Sequence, residues 1–540
     1  MERKMNLGKL DFDIDEEERR QKEQKHYTWV ENCKYYILEY CREGSLHGLK
    51  YLGQKRTFAE KIWWAISMII SLYICTKLVL NAYQKWQNTP VIVSFATKDT
   101  PNWMIPFPAV TICPEIKAVP SKYNYTHFLG LKMKGETLSP IDEERFGYLS
   151  LACRRNTKHI DFAQVRLNSG QKEDIYSFLD WVQPDFFSTI SHCQYMGYEE
   201  NCTDLFTPII TDEGICYSFN ILDRSQIFKP TVEHYKDFHR AKPSNWSIEN
   251  GYSLDDTAIT YPRRALYAGA IFSLEGVLTV KDEDLDYSCG SSIQGFKVEI
   301  SHPGRLPRVR QQHFRIPLDQ VVVAAINPSI TTTANAIKRY PPKKRNCYFP
   351  NEKQLRYFVN YTQMDCQIEC KTNHTLKRCG CVDFYMPREH DVQVCAEERI
   401  NCIFESEREL LLSNIEKKLH SLKQGKIAKD KCDCMPICTS MYYNLETSQA
   451  TWDWQDQFDT NDEQKHMSSF QIYFKSNQFV TMERNELFGI TDFLANFGGL
   501  LGLFVGFSLL SLIEIVYFLT LRIICNVALF GRYNWAGIKE

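Results

Sequence analysis

Residues 493–521, FLANFGGLLGLFVGFSLLSLIEIVYFLTL, carry the residue types from which a path for ions can be built. The run is long enough to cross a bilayer, which takes about 20 residues. Its apolar sequence is interrupted by Asn496, Gly498, Gly499, Gly502, Gly506 and Glu514. Glycines four apart let helices approach closely in lipid. An ionisable group at membrane depth is costly unless it faces a partner or water. Asn496 and Glu514 are eighteen residues apart, five turns of an unbroken helix, which would set them on one face roughly 27 Å apart. That is the layout of a pore-lining helix. The plainer alternative is a single-pass anchor with small packing residues.

Another apolar run, the first in chain order, covers residues 62–82 and is flanked by Trp63, Trp64, Tyr83 and Trp86, with Lys77 near one end. Aromatic residues collect at membrane interfaces, and a lysine near a helix end reaches back to the headgroups. About sixty mostly polar residues precede this run, so it is no signal peptide. Of 20 cysteines, 16 lie between the two runs, a density that points to eight disulfides in an oxidising compartment. All five N-x-S/T sequons, at Asn124, Asn201, Asn245, Asn360 and Asn373, fall in the same segment. Lys50, Lys55, Arg56 and Lys61 precede the first run, and Arg522 and Arg532 follow the second, as on a cytoplasmic side. The chain is therefore expected in the plasma membrane with two spans, both termini cytoplasmic and the middle outside.

Other chemistries find little support. A net charge of −2 and a pI near 6.7 argue against nucleic-acid binding. Cys379-Gly-Cys381 and Cys432-Asp-Cys434 lack the gap of common zinc knuckles. The thirteen histidines show no metal-ligand spacing, and phosphate-loop, dinucleotide, zinc-protease and nucleophile-elbow signatures are absent. No catalytic residues, enzyme activity, metal or cofactor is expected.

The elements that must position the spans read as follows. Residues 1–26 form a charged, solvated tail. Strands are expected within 91–115 and over 215–222, 270–280, 295–301, 320–326 and 469–480, the last leading straight toward the second span. Helices are expected over 403–423, where Leu410, Leu411, Ile415, Leu419 and Leu422 recur at helical spacing, and, shorter, over 351–362. The cysteine-dense stretch 347–438 is expected as a separate stapled lobe beside a β-rich body.

Six elements in order carry a resemblance. They are His47-Gly48, the Phe107–Cys113 run FPAVTIC, and Gly214–Asn220 (GICYSFN); then Cys366, Cys370 and Cys379-Gly-Cys381 closing on Tyr385-Met386-Pro387, Cys434–Cys438 (CMPIC) with Tyr442, and Gly506-Phe507-Ser508. Together the chain resembles the degenerin/epithelial sodium channel family, most closely its insect pickpocket branch, over nearly its whole length. The resemblance implies two transmembrane helices flanking a large disulfide-rich α+β extracellular domain of palm, finger, thumb, knuckle and β-ball. It implies a cytosolic segment 1–60, a first span 61–83, an extracellular 84–488 with the thumb in 347–438, a pre-pore and pore helix 489–521 and a cytosolic 522–540. It also implies the disulfides Cys113–Cys216, Cys193–Cys202, Cys347–Cys438, Cys366–Cys434, Cys370–Cys432, Cys379–Cys402 and Cys381–Cys395, leaving Cys153 with Cys289.

In function the resemblance implies a trimer, of this chain or with related subunits, around a sodium path. Gly506, Phe507 and Ser508 would be the selectivity filter. Asn496, Gly499, Gly502, Leu503 and Glu514 would line the pore, with Gly502 at the amiloride-blocker position. His47, Gly48 and Ala495 would govern gating. Backbone carbonyls can replace the water shell of an ion, and glycine admits the close backbone approach this needs. Glu514 is expected as an acidic ring, the alternative being a pair with Arg522. The sequence names no extracellular ligand or stimulus. The competing reading is a non-conducting accessory subunit or surface receptor of the same fold.

Overall fold

A computed structural model describes residues 28–88, 91–153, 174–236, 246–248, 250–257, 259–289, 292–396, 399–423, 432–458 and 464–538. The tail at 1–26 and the sequon at Asn245 lie outside the described residues. The chain forms two compact units, Val93–Asn485 and the described residues on either side of it.

Within Val93–Asn485 the β body is built from β1 (Val91–Pro101), β2 (Ala109–Pro114), β3 (Ile190–Tyr195), β4 (Tyr198–Glu199), β5 (Phe206–Thr211), β6 (Gly214–Phe219), β7 (Leu274–Lys281), β8 (Phe296–Ser301), β9 (Phe314–Ile316), β10 (Gln320–Thr333), β11 (Ser440–Thr451), β12 (Lys465–Phe474) and β13 (Gln478–Glu486). One sheet has the order β1-β13-β10-β12-β7-β3-β4, with β11 also paired to β10; the other runs β9-β8-β2-β6-β5. The single strand expected at 469–480 is two. Both β12 and β13 run parallel to β10, but the pairing offset grows by three residues between Ile326↔Phe474 and Thr331↔Met482. The break has a cause in Asn477: its carbonyl accepts from Asn102 N (2.9 Å) and its side-chain oxygen from Ala268 N (2.7 Å).

Phe107 fills the space between the sheets. It is wholly buried and meets Tyr195, Phe219 and Phe474 edge to face, the geometry ring quadrupoles favour. Asn220 ends β6 in a left-handed turn (φ +59°), which asparagine tolerates better than most residues. Its amide donates to the carbonyls of Phe107 and Arg263, and its side-chain oxygen accepts from Arg263 N. Asn220→Ala leaves Phe107 O and Arg263 N unsatisfied, while Arg263 O keeps its bond from Phe107 N at 2.8 Å, so a loss of about 2 kcal/mol or more is expected. Chemical denaturation of the purified protein checks this, and an unchanged midpoint would contradict it.

Eight disulfides lock this unit. They join Cys113–Cys216, Cys153–Cys289, Cys193–Cys202, Cys347–Cys438, Cys366–Cys434, Cys370–Cys432, Cys379–Cys402 and Cys381–Cys395. Five of them lie within 347–438 and staple two packed helices, Gln363–Cys379 and Ile400–Lys423. The short helix expected at 351–362 is absent. There Tyr357, Phe358 and Tyr361 turn into a core with Phe228 and Leu306, and Phe358 bridges Phe228 as extended backbone. The helix starts instead at Gln363, after the Thr362 cap that accepts from Asp365 N, and ends at the left-handed Gly380.

His466, on β12, ties three segments together. Its Nδ1 lies 2.7 Å from Asp319, which precedes β10, and its Nε2 lies 2.7 Å from Asp282, which follows β7. Carboxylates only accept, so both contacts are hydrogen bonds only when the ring is the doubly protonated imidazolium. Burial alone would lower its pKa, but the hydrogen bonds and charges of Asp319 and Asp282 outweigh it and raise the pKa above the ordinary 6.5. A raised folded-state pKa gives stability that is complete below 6.5 and fades as pH climbs through the folded value. The unfolding midpoint is therefore expected to fall from weakly acid to alkaline pH, and His466→Gln to flatten that slope. Equal slopes for both proteins would refute the tie.

The other unit contains the helices Trp29–Glu43, Leu49–Gly53, Phe58–Asn88, Ile490–Val505, Leu509–Leu519 and Leu521–Phe530. Phe58–Gln87 and Leu509–Phe530 are each long and apolar enough to span a bilayer, and Ile490–Val505 is a shorter apolar helix. Large apolar side chains such as Trp63, Ile69, Leu510 and Leu529 stand on their outsides, as in a helix solvated by lipid.

Candidate pore and gate

The second apolar run is not one unbroken helix. Ile490–Val505 ends at Gly506, which is left-handed at φ +68°, ψ 23°. Gly506 N donates to Gly502 O at 3.0 Å, and Phe507 N donates to Leu501 O at 3.3 Å, closing the helix as a glycine cap does. Ser508 is extended, and its hydroxyl accepts from Ser511 N to cap the next helix. Asn496 and Glu514 thus lie on different helices, and the shared face expected of them does not exist. The break leaves Gly506 and Phe507 outside regular structure. Among the described residues no donor of this chain bonds their carbonyls.

The helix before the break has two distinct faces. Phe493 stacks on Trp86 (5.1 Å), Leu500 O lies 3.8 Å from Cys75 Sγ, and Phe504 O accepts from Ser71 Oγ at 2.6 Å. That face packs on the first span. At 100° per residue, Ala495, Gly499 and Gly502 fall on the opposite side and Leu503 and Asn496 on the flank between the two faces, and all five are exposed.

A segment ahead of the first span fills the break. His47 N donates to Val505 O at 3.2 Å, satisfying one of the carbonyls orphaned at a helix end. The His47 ring lies so close that a Cβ on Gly506 would fall 1.6 Å from Nδ1. Two residues earlier, Ser45 donates to the Glu514 carboxylate from both N (3.0 Å) and Oγ (2.6 Å), and Ser45 Oγ lies 2.8 Å from Ser511 Oγ. Arg522 pairs with Glu39 instead of Glu514. The helix Trp29–Glu43 is anchored nearby: Tyr36 OH donates to Phe518 O, and Asn32 donates to Tyr533 O at 2.9 Å. Sequence reasoning missed Ser45 and Ser71. Ser45 lies 469 residues from its carboxylate partner, and no local pattern announces such a pair.

Gly48 sits at φ +92°, and a Cβ there would meet Met68 Cγ and Sδ at 3.0 Å. A side chain pays about 1–2 kcal/mol for that backbone, before any cost of displacing Met68. Gly48→Ser is therefore expected to unseat the segment and, as the resemblance implies for this position, to lower open probability severalfold, read in single-channel records. Normal gating would show that the pair is only a linker.

Of the exposed sequons, Asn124 and Asn201 cap short helices and Asn360 and Asn373 lie in the stapled lobe. Among the described residues no group of three His, Cys, Asp or Glu is placed to hold a metal.

Comparison with known proteins gives a consistent result. A family model described as "Amiloride-sensitive sodium channel" matches residues 40–518. Pickpocket protein 28 of Drosophila melanogaster is 28% identical over 524 residues, covering 91% of this chain and 79% of the relative. Sodium channel protein Nach of the same organism is 24% identical, covering 89% and 86%. The bile acid-sensitive ion channel of Mus musculus is 23% identical, covering 89% and 87%.

Proposed function

Because this chain belongs to the amiloride-sensitive sodium channel family, we propose that it is a subunit of a sodium-selective cation channel in the plasma membrane. Three copies, or this chain with related subunits, surround a central path. Both termini are cytoplasmic, and Val93–Asn485 is extracellular, with glycans on its sequons. Gly506, Phe507 and Ser508 form the filter. The observation that carries the reading is the break at Gly506, which frees two successive carbonyls between the apolar helices Ile490–Val505 and Leu509–Leu519. Carbonyl oxygens there can stand in for the water that sodium sheds, and Ser508 adds a hydroxyl. The face bearing Ala495, Gly499 and Gly502 turns away from the first span and toward the path, with Asn496 and Leu503 at its edge. Gly502 on that face is where amiloride binds. Glu514 supplies negative charge beyond the filter, with Ser45 holding its carboxylate in place.

The test is voltage clamp of cells expressing the chain alone and with a related subunit, with surface protein measured in parallel. Sodium-carried current that amiloride blocks is expected. Surface expression without current in either setting would make the chain a non-conducting accessory subunit or receptor.

A further inference from the structure

We propose that the stapled lobe binds an anionic amphipath, a carboxylate on an aliphatic chain, in the cleft beside its longer helix. The cleft, about 590 Å³, is lined by side chains of both lobe helices and by Arg308, from the connection between β8 and β9. That volume lies within the range of about 300–1,000 Å³ typical of ligand sites. Phe404, Arg408, Leu411, Ile415 and Lys418 recur at steps of four and three residues along Ile400–Lys423. They therefore share one helix face, and that face is a wall of the cleft. Leu411 is 60% and Ile415 43% exposed, so water covers apolar surface there. An aliphatic chain laid along it is favoured in proportion to the area it removes from water.

The same cleft is cationic. Its described lining holds Arg308, Lys371, Arg408 and Lys418 against the single carboxylate of Glu407, which pairs with Lys371 at 2.6 Å. Arg308 points most directly to a ligand. It is 7% exposed. Its backbone N donates to Glu299 Oε2 at 2.5 Å, but its guanidinium bonds no acceptor among the described residues, and its Nε is fully buried. The charges of Asp212 and Asp365 reach it, yet neither carboxylate is hydrogen-bonded to it. A guanidinium carries five N–H donors, and a buried donor left unpaired is costly. A carboxylate can accept two of them side by side.

One molecule must match both features. An inorganic anion satisfies Arg308 and leaves Leu411 and Ile415 in water. A neutral chain dries those residues and leaves the guanidinium unpaired. A carboxylate joined to an aliphatic chain does both, with its head at Arg308 and its chain along Phe404, Leu411 and Ile415. The disulfides Cys366–Cys434 and Cys370–Cys432 border the cleft and fix its walls in place. A pre-formed site of this kind loses little to ordering when a ligand enters.

The cleft lies wholly within Val93–Asn485, so the proposal does not depend on whether the protein conducts. The experiment uses the full chain in nanodiscs of one fixed lipid composition. Myristate with a diazirine at its methyl end is the photoprobe, and labelled peptides are mapped by mass spectrometry. Nanodiscs expose both faces, so the readout is independent of current and of which face is cytoplasmic. Label is expected on residues 404–418. Decanoate is expected to protect them at a concentration about tenfold or more below that of decanol, the effect of roughly one hydrogen bond to a charged group. Arg308→Gln should weaken protection by decanoate about tenfold and leave decanol nearly unchanged, while Arg308→Lys should keep part of the preference. Arg408→Gln, on the exposed side of the cleft, should narrow the gap between decanoate and decanol at an unchanged unfolding midpoint. Leu411→Ser with Ile415→Ser should weaken both competitors alike. Equal protection by decanol, full protection by acetate at the decanoate concentration, or label confined to the apolar helices overturns the proposal. So does disulfide cross-linking of Ile415→Cys between copies of the chain, which would show that a second protomer fills the cleft.

Discussion

Gly506→Ala is expected to reduce sodium current about tenfold or more at equal surface expression. Two independent costs converge on this residue. A Cβ in the left-handed conformation costs roughly 1–2 kcal/mol, and about 1.4 kcal/mol is already a factor of ten. The added carbon would also fall 1.6 Å from His47 Nδ1, far inside any contact distance. The ring cannot simply follow its backbone away, because His47 N is bonded to Val505 O. Either the helix runs on through residue 506 and withdraws the carbonyls proposed as the filter, or the His47 segment leaves the break. Both outcomes lower current, and they are separable. Pairing the change with His47→Ala removes the clash but not the backbone cost, so partial rescue points to the steric route. Unchanged current and unchanged sodium-over-potassium preference in Gly506→Ala would remove the filter from this position.

The break itself was written in the sequence but masked by its surroundings. Gly506 is a helix stop, and Ser508 with Ser511 three residues on is a helix start; the unbroken apolar run around them overrides that punctuation when periodicity is read alone. The helix at Gln363–Cys379 was hidden for the opposite reason. It is polar enough to lack an apolar stripe, yet Thr362, Asp365 and Gly380 are cap signals at its two ends. At 351–362 aromatic residues mimic helical spacing because they enter the core from an irregular segment. Strand patterns were more legible: Ala109–Pro114 and Gly214–Phe219 are mostly apolar runs bounded by proline or glycine, and both are wholly buried, with Thr111 and Ser218 bonded to each other. The contacts that close the gate region were not legible at all. Ser45 with Glu514, Ser71 with Phe504 and His47 with Val505 join residues more than 400 positions apart, and nothing in their local sequence encodes the pairing.

Ala495→Val is expected to raise resting current by roughly fivefold to a hundredfold. Ala495 shares a face with Gly499 and Gly502, and that face is turned away from the first span. In a trimer it meets the equivalent faces of the other subunits where the path is narrowest when shut. Small residues there allow the closed helices to approach, and two added methyl groups per subunit overfill a packed contact at a cost of about 1–3 kcal/mol. An open state, in which the helices stand apart, does not bear that cost. A differential of 1–3 kcal/mol between two states shifts their ratio by about 5- to 150-fold. Size sets the direction of the effect: Ala495→Gly should leave resting current low, and Ala495→Cys should fall between alanine and valine and gain current when a thiol reagent enlarges it. A valine variant that reaches the surface with unchanged resting current would place Ala495 against lipid, where a larger side chain costs nothing, and the glycine face would then be an anchor's packing surface instead of the wall of a pore.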